Sequence, residues 1–470
     1  MPASDTFPPR LPPSRRPSCV RADEPSAAPA TVGVRLAGIL LLAAVLPLVA
    51  APAPLPLSDA LVLARAHNRQ VQNAALAVEI AGDRAAAARS YRYPQLQAYG
   101  IGSHLLSPLD FHFPQGAFGV YNYLGPVPAT DTVIRSPRES LLAGVALLTQ
   151  PVSQQYKVGL KVRQAEIGRK VDAERLRAQQ QATDLQVKRT YHGIVQTQGA
   201  VLAAEAAVEF AREFERITRQ AVTERAALPG DLLEVQARLA DAEARAAQAR
   251  DALVTQREQL NVLLGRDLAT EFTVVPVTEV PAAPSLANAR RQALAHRPEL
   301  QQARLGVRYA ELTRREKRAE YIPDVNLVVS HVRANTSDVL PSEVTSAGVM
   351  AQWDVFDWGR RGREVAIAKK ALRQADNLAN DTEARVLVEV GAKYRQLEET
   401  RLALRSADLQ LAAEQEKLRV ALNAFQQNFA LRKDLLQQQA AAEAAQSRRQ
   451  QALLAVLTAQ AELENAIGQD

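Results

Sequence analysis

Few residues in this 470-residue chain are of types that could carry out chemistry. The single cysteine is Cys19, and the histidines are His67, His104, His112, His192, His296 and His331. No two histidines have the close helical spacing of a metal site, and no carboxylate cluster accompanies them. The sequence also lacks a glycine-rich phosphate loop and a nucleophile elbow. It therefore predicts no catalytic residue, no metal site and no cofactor, and indicates that the protein is not an enzyme.

Two aspartates stand beside helix-breaking turns. Asp231 follows Leu228-Pro229-Gly230, and Asp434 precedes a similar pair of leucines in the second half of the chain. An aspartate in this position commonly caps the following helix, because its carboxylate accepts hydrogen bonds from free backbone N–H groups. We therefore expect a capping role for both residues.

The charges of the chain favour a solvated helical surface. Lys and Arg number 57 and Asp and Glu 51, a net charge of +6. Without residues 1–51 there remain 52 basic and 48 acidic residues, a net charge of +4. Both signs are spread along sequence that is rich in Ala, Gln, Arg, Glu and Leu, as in long packed helices. No basic run is interleaved with aromatics, so we expect no nucleic-acid partner.

One apolar run lies near the N-terminus. Residues 36–50 read LAGILLLAAVLPLVA, directly after Arg35, and end in small residues. Fifteen residues are short for a membrane-spanning helix and typical of a secretory signal. We predict that residues 1–51 are a signal peptide with an extended N-region, cleaved near Ala50 or Ala51. No later segment reaches eighteen apolar residues, so the sequence predicts an exported protein without transmembrane helices.

The chain contains an internal repeat. Residues 57–96 align with 286–325 at a shift of 229, which pairs His67 with His296. Further along the shift is 203, which pairs Tyr191 with Tyr394 and Gly265 with Gly468. The 26-residue difference between the shifts predicts an enlarged loop within 100–140 of the first copy. The predicted boundaries are a first repeat at 52–265, a linker at 266–285 and a second repeat at 286–470.

Within each repeat the hydrophobic period changes in the same order. Each copy begins with a predicted helix, at 58–92 and 287–321, which is ended by a proline. Segments of about ten residues with one apolar face follow, as in transmembrane strands, at about 95–106, 141–152, 324–333 and 346–356. Each copy then ends in a long antiparallel helical hairpin, at 157–264 and 360–467.

Four strands cannot close a barrel, and open sheet edges are not viable in lipid. Three copies would supply twelve strands, enough to enclose water, and would bring their helices into a ring. The predicted fold class is therefore mainly α with a membrane β-barrel. It consists of a duplicated helix, strand pair and long helical hairpin, and its simplest closed form is a trimeric twelve-stranded β-barrel joined to an α-helical barrel.

Local motifs accompany this order of elements. They are AHRPEL at 295–300, WDVFDWGRR at 353–361, DLL at 231–233 and 434–436, and the repeat endings LLG at 263–265 and AIG at 466–468. In this order and duplication they resemble the TolC family of outer-membrane efflux proteins over nearly all of 57–468.

The resemblance implies a passive exit duct of a tripartite efflux or secretion system. It implies a homotrimer in the outer membrane of a Gram-negative bacterium, in contact with outer-membrane lipid and with a large periplasmic portion. The implied partners are a periplasmic adaptor (membrane fusion) protein and an inner-membrane transporter.

The resemblance also implies roles for residues at the hairpin tips. Acidic residues that ring the closed aperture of family members correspond to Asp434 and Gln437, so one of the two positions here carries no charge. A tip aspartate that is latched in some members corresponds to Asp231. Its partner positions fall on Phe425 and Ala430, which cannot form that latch, and the nearby candidates for the same role are Arg432 and Lys433.

Trp353 and Trp358 follow the last predicted strand segment. Packing against a neighbouring strand is one interpretation of these side chains, and an aromatic belt at the membrane surface is the one we favour for transmembrane strands. Phe111, Phe113, Phe118, Tyr121 and Tyr123 in the enlarged loop would extend that belt or cover the outer mouth.

An exported coiled-coil scaffold or a periplasmic adaptor protein is the alternative interpretation. It accounts for the signal peptide and the helical hairpins. It leaves the four strand segments and the duplication of the whole chain unexplained.

Overall fold

A computed structural model describes residues 54–104, 106–107, 110–135, 140–276, 282, 284–335, 341–427, 429 and 432–469, without the side chains of 426 and 432–436. The predicted signal peptide at 1–51, which contains Cys19, lies outside these residues. None of the described helices is long and apolar enough to cross a membrane.

The first half of the chain contains strands and helices in alternating groups. They are β1 Pro54–Leu55, α1 Leu57–His67, α2 Arg69–Ser90, β2 Gln95–His104, β3 Asp110–Phe113, β4 Val120–Tyr121, β5 Gly125–Pro126, β6 Thr132–Arg135, β7 Ser140–Pro151, α3 Gln155–Thr223 and α4 Pro229–Leu263. The second half contains β8 Thr273–Val274, α5 Leu286–His296, α6 Pro298–Ala319, β9 Asp324–Ala334, β10 Glu343–Gln352, α7 Arg360–Gln426 and α8 Arg432–Ile467. The protein is mainly helical.

The prediction of one continuous helix at the start of each half was wrong. The first helix is interrupted at Asn68, whose backbone is extended and whose side chain accepts hydrogen bonds from the Gln70 and Val71 amides. The second is interrupted at Arg297, because the following Pro298 disfavours the helical conformation in the residue before it. Each break separates a short helix from a longer one.

The four longest strands form one sheet in the order β10-β9-β7-β2, with every neighbouring pair antiparallel. The central β7–β9 pair joins strands from the two halves of the chain. The register places Leu96 beside Leu148, Leu148 beside Val329, and Val329 beside Ala347. β2 and β10 are the two edges, and neither has a further neighbour in the described part of the chain.

The last strand differs from its predicted bounds of 346–356. β10 begins three residues earlier, at Glu343, and ends at Gln352. The chain turns between Trp353 and Gly359, where Trp358 and Gly359 have positive φ angles of 55° and 83°. Trp353 therefore comes directly after the strand, and Trp358 lies in the turn, where its left-handed backbone could not continue a strand.

The long helices fix the dimensions of the helical part. α3 has 69 residues and α7 has 67. At 1.5 Å per residue each spans roughly 100 Å. α3 packs against α4, and α7 against α8, as antiparallel hairpins.

Two apolar clusters hold the helical part together near the ends of the hairpins remote from their tips. One surrounds Tyr191, Ile194 and Leu260, and the other surrounds Val390, Leu397 and Leu463. In the first cluster the short strands β1 and β8 pair in parallel. Tyr191 fixes this pair, because its hydroxyl accepts from the Val275 amide at 2.8 Å and donates to the Leu55 carbonyl at 2.8 Å.

Candidate functional site

The two faces of the four-stranded sheet differ in chemistry. We define the apolar face by side chains that the register places on one side: Leu96, Ala98, Leu142, Ala146, Leu148, Val325, Leu327, Val329, Ala347, Val349 and Ala351. Its large side chains are exposed, with Leu96 at 72% and Val349 at 66%. The opposite face mixes apolar residues with polar ones such as Gln97, Thr149 and Ser330. Because apolar area costs about 25 cal/mol per Å² in water, the apolar face requires a covering by lipid or protein.

Polar groups limit the apolar face at the end of the sheet remote from the helices. The His331 ring contacts the Thr345 hydroxyl at 2.9 Å, and Arg333 pairs with Glu343 at 3.2 Å. On the opposite face the Ser330 and Ser346 hydroxyls bond each other across the strands at 2.7 Å. An apolar band that ends in polar groups, backed by a partly polar surface, is the pattern of a sheet with lipid on one side and water on the other.

Both edges of the sheet are open. Every residue of β2 and of β10 is exposed. Unpaired backbone N–H and C=O groups are tolerated in water and cost several kcal/mol each in hydrocarbon. The sheet is therefore incomplete as a membrane structure until its edges are paired.

Exposed aromatic side chains surround the junction between the sheet and the helices. This aromatic rim consists of Tyr91, Tyr93, Tyr156, Tyr321, Trp353, Phe356 and Trp358, all exposed. Phe356 and Trp358 pack edge to face, with ring centroids 5.0 Å apart. Trp358 is 91% exposed, so in the described chain it does not pack against a strand as one interpretation expected.

The turn that carries the tryptophans is held by a buried arginine. The Asp357 carboxylate accepts from the Arg361 Nε at 2.6 Å and from the Arg361 and Gly359 amides at 3.1 and 3.0 Å. The Arg361 guanidinium also donates to the Asp354 carbonyl and lies 5.2 Å from the centre of the Tyr321 ring. These contacts fix the backbone of the turn, while its aromatic side chains remain exposed. The motif at 353–361 thus presents a rigid aromatic surface.

At the first hairpin tip, Asp231 caps its own helix. Its carboxylate accepts from the Leu228 amide at 3.0 Å, and its backbone N–H donates to the Leu228 carbonyl at 3.1 Å. Arg225, in the same turn, has a positive φ of 60°. The capping role expected for Asp231 is thus present, and the carboxylate is occupied locally.

The second hairpin tip is described in part. Asp434 lies in the first turn of α8, together with Arg432 and Lys433, and the side chains of all three are outside the described part, as is Ala430. Gln437 and Phe425 are both exposed. The aperture ring and the latch therefore stay predictions.

A charged network that the sequence did not suggest joins the two halves of the chain. Lys188 of α3 pairs with Glu464 at 2.6 Å, and Lys393 of α7 pairs with Glu462 at 2.7 Å. Arg189 also pairs with Glu462. Burial raises the pKa of Glu462, but the hydrogen bonds from Lys393 and Arg189 outweigh burial and leave it below its usual value.

His192 is buried beside this network. Burial, and then the charge of Lys188, lower its pKa to about 4. The only sequence signal at this position was a mismatch between the two repeats, because the 203-residue shift pairs His192 with Arg395. In the described part of the chain, no group of three His, Cys, Asp or Glu side chains could hold a metal ion.

The fold, an antiparallel sheet with an exposed apolar face joined to helices about 100 Å long, is similar to that of solved outer-membrane channels. The Campylobacter jejuni CmeC outer membrane channel is similar, with 16% identity, 88% of this chain and 85% of that chain covered, and a TM-score of 0.69. The Neisseria gonorrhoeae MtrE outer membrane channel, solved in its open state, has 18% identity and a TM-score of 0.66, with 88% of this chain and 89% of that chain covered. The Vibrio cholerae outer membrane protein VceC has 15% identity and a TM-score of 0.67, with 88% of this chain and 96% of that chain covered.

Sequence evidence for the family comes from the second half of the chain. Residues 289–469 match the family model described as outer membrane efflux protein. No curated protein sequence matches the chain significantly. The predicted resemblance to the TolC family of outer-membrane efflux proteins is thereby confirmed, by sequence over residues 289–469 and by fold over most of the chain.

Proposed function

We propose that the protein is the outer-membrane exit duct of a tripartite efflux or secretion system. The observation that carries the proposal is the four-stranded sheet, with its exposed apolar face and two open edges, at one end of helices long enough to reach across a periplasm. The protein supplies a water-filled path and has no catalytic step of its own.

Three copies complete the barrel in this proposal. Strand direction alternates along β2, β7, β9 and β10, so the two edges of one copy run in opposite directions. An open β10 edge can therefore pair with the β2 edge of the next copy in the same antiparallel manner. Four strands from each of three copies give a twelve-stranded barrel, and the helices of the three copies form the duct below it.

The surroundings of the trimer follow from its chemistry. The apolar face contacts outer-membrane lipid, and the aromatic rim with Trp353 and Trp358 lies where lipid meets the periplasm, because amphipathic rings prefer that level. The helical hairpins extend into the periplasm of a Gram-negative cell. Their tips meet a periplasmic adaptor protein that couples the duct to an inner-membrane transporter.

Asp434 lines the periplasmic aperture in this proposal. Three copies would place three Asp434 carboxylates around the axis, while the Gln437 position adds no charge. Asp231 caps its helix at the neighbouring tip, and Arg432 or Lys433 supplies the latch that Phe425 cannot form.

The test is to purify the full chain from outer membranes in mild detergent, measure its mass, and record ion conductance in planar bilayers. We expect a trimer with discrete conductance steps. Asp434→Asn should change the conductance or its cation preference, because it removes three carboxylates from a narrow aperture. Gln437→Ala, one helical turn further on, is the matched control and should leave the ion preference as it is.

Two outcomes would contradict the proposal at different levels. A conducting trimer in which Asp434→Asn and Gln437→Ala behave alike would remove the aperture assignment and keep the channel. A periplasmic monomer that never sediments with outer membranes would remove the channel and support the coiled-coil scaffold or adaptor.

A further inference from the structure

The enlarged loop of the first half folds into an ordered arm, which we define as residues 110–135. β3 pairs with β6 from Asp110–Arg135 to Phe113–Thr132, and β4 pairs with β5 beyond them. Backbone bonds from Gly116 to Pro128 and from Phe118 to Val127, at 3.0 and 2.8 Å, join the two pairs. The Asp131 carboxylate accepts from the Gln115 amide at 2.8 Å. The arm is thus a continuous ladder and not an irregular loop.

The tip of the arm is apolar and uncharged. Its exposed side chains are Phe118, Val120, Tyr121, Tyr123 and Leu124, with Tyr123 fully exposed. Residues 113–130 contain no Asp, Glu, Lys, Arg or His, although 23% of the chain is charged. An exposed cluster of this kind on an ordered element marks a contact surface.

The length of the arm matches the radius of the proposed barrel. Twelve strands spaced about 4.8 Å apart and tilted about 40° form a ring of roughly 12 Å radius. The four residues of β3 alone span roughly 14 Å at 3.4 Å per residue, and the tip lies further along the ladder. Each arm is therefore long enough to reach the axis.

We infer that the arm tip binds the tips of the other two copies and covers the outer mouth of the barrel. This inference rests on the proposed trimer. Each copy carries one arm, which comes after β2 in the chain, so a three-fold axis spaces the three arms equally around the outer rim of the barrel. A three-fold axis brings three identical tips together. An uncharged tip avoids the repulsion between like charges that identical charged tips would have there. The tyrosine hydroxyls give the contact a polar edge in water.

The experiment is cysteine cross-linking in outer-membrane vesicles that contain the full chain, in a Cys19→Ser background. Oxidation should link Tyr123→Cys copies into dimers, because cysteines around an axis come within disulfide reach. The linked fraction should approach about two thirds of the subunits, since one copy of each trimer has no partner left. Val133→Cys, exposed in the stem strand β6, is the matched control and should stay unlinked.

A second variant tests the membrane as the alternative covering. In a background with Trp353→Phe and Trp358→Phe, which leaves one tryptophan in the chain, Tyr123→Trp fluorescence should be unaffected by brominated lipid if the tips contact one another, and quenched if they lie in the leaflet. Strong quenching, or a conducting trimer whose Tyr123→Cys copies do not cross-link, would overturn the arm inference and leave the proposed channel intact. A chain that forms no trimer and no conductance would overturn the proposed function, and the arm inference with it.

Discussion

Gly265 and Gly468 end the returning helices of the two hairpins in the same way. Each has a positive φ, of 66° and 74°. A Cβ on Gly265 would lie 2.4 Å from the His67 carbonyl oxygen, and one on Gly468 would lie 2.9 Å from that of His296. The glycines thus allow each hairpin to end against the break between a short helix and the longer helix after it, where Asn68 and Arg297 donate to carbonyls near the ends of the hairpin helices.

We expect Gly265→Ala and Gly468→Ala to lower the free energy of unfolding by at least about 1–3 kcal/mol, since each combines left-handed backbone strain with a clash against backbone. The larger loss should occur at Gly265, where the contact is closer. Urea unfolding of the detergent-solubilised protein measures this. Gly306→Ala is the control, because a Cβ there meets nothing within 4 Å and the residue is inside a helix. Equal stability of the Gly265 and Gly306 variants would contradict the prediction.

Tyr191→Phe should lower the free energy of unfolding by about 1–3 kcal/mol, because it leaves the part-buried Val275 amide and the buried Leu55 carbonyl without the Tyr191 hydroxyl. The ring would still fill its cluster, so the loss reports the hydroxyl alone. Hydrogen exchange at Val275 should accelerate more than exchange in α7. Tyr394→Phe, at the corresponding position of the second half, is the matched control. Unchanged exchange at Val275 would show that the hydroxyl does not hold the β1–β8 pair.

His192 should make the protein less stable in acid. Its folded pKa of about 4 is below the ordinary 6.5, so the neutral form is favoured by the fold. The stabilisation is complete above about pH 6.5 and is lost as the pH falls towards 4, by up to about 3 kcal/mol. Melting temperatures measured between pH 7 and 4 should therefore fall less in His192→Gln than in the wild type. His112→Gln, at an exposed position, should retain the wild-type slope, and identical slopes for all three proteins would refute the assignment.

Residue roles were predictable where they depend on neighbours along the chain. The cap at Asp231 was predictable, because a carboxylate directly after Pro229-Gly230 is well placed to accept from free backbone N–H groups. The burial of His192 was not predictable, because it depends on α8, where the contacting Thr458 is more than 260 residues away along the chain. Trp358 was placed near its strand, but its left-handed backbone follows from the Asp357 cap, which the alternating pattern does not encode.

At the scale of elements, the two faces of the sheet give opposite expectations for the same substitution. Val329 lies on the apolar face, and Ser330, the next residue of β9, lies on the other. Val329→Lys should reduce the yield of folded protein in outer membranes, since a lysine facing the middle of the bilayer costs about 2–4 kcal/mol. Ser330→Lys should assemble normally, because its side chain faces water in the proposed lumen. Heat-modifiable migration on gels measures the folded fraction, and equal losses for the two variants would remove the assignment of the faces.

The elements themselves were largely predictable, since period and breakers are local signals. The four strand segments and the two hairpins were expected close to their observed positions. The breaks at Asn68 and Arg297 were missed because a single extended residue barely disturbs a helical period. The arm was expected only as an enlarged loop, because its strands are two to four residues long and depend on turns at Gly116, Gly119 and Gly125.

At the scale of the whole molecule, the proposed seam between copies can be tested with pairs of cysteines on the same face or on opposite faces of the sheet. A cysteine at Ala347, on the apolar face of β10, can meet only residues of the same face of β2 in the next copy. Ala347→Cys combined in turn with Ala98→Cys, Gly100→Cys or Gly102→Cys should give cross-linked trimers in at least one combination. The control is Ala347→Cys with Gln97→Cys, whose side chains face opposite sides, and which should not link. Efficient linking of that control pair would contradict the strand arrangement.

In the proposed trimer, the two open edges make folding and assembly the same event. A single copy cannot shelter its edges in lipid, so no copy reaches its final state before its neighbours do. A copy with a damaged edge would then spoil the intact copies that it joins. When damaged and intact chains are made in equal amounts and mix at random, roughly one ring in eight is free of the defect. Edge-strand mutations in this protein should therefore be genetically dominant, whereas mutations that prevent a chain from joining a ring at all should be recessive.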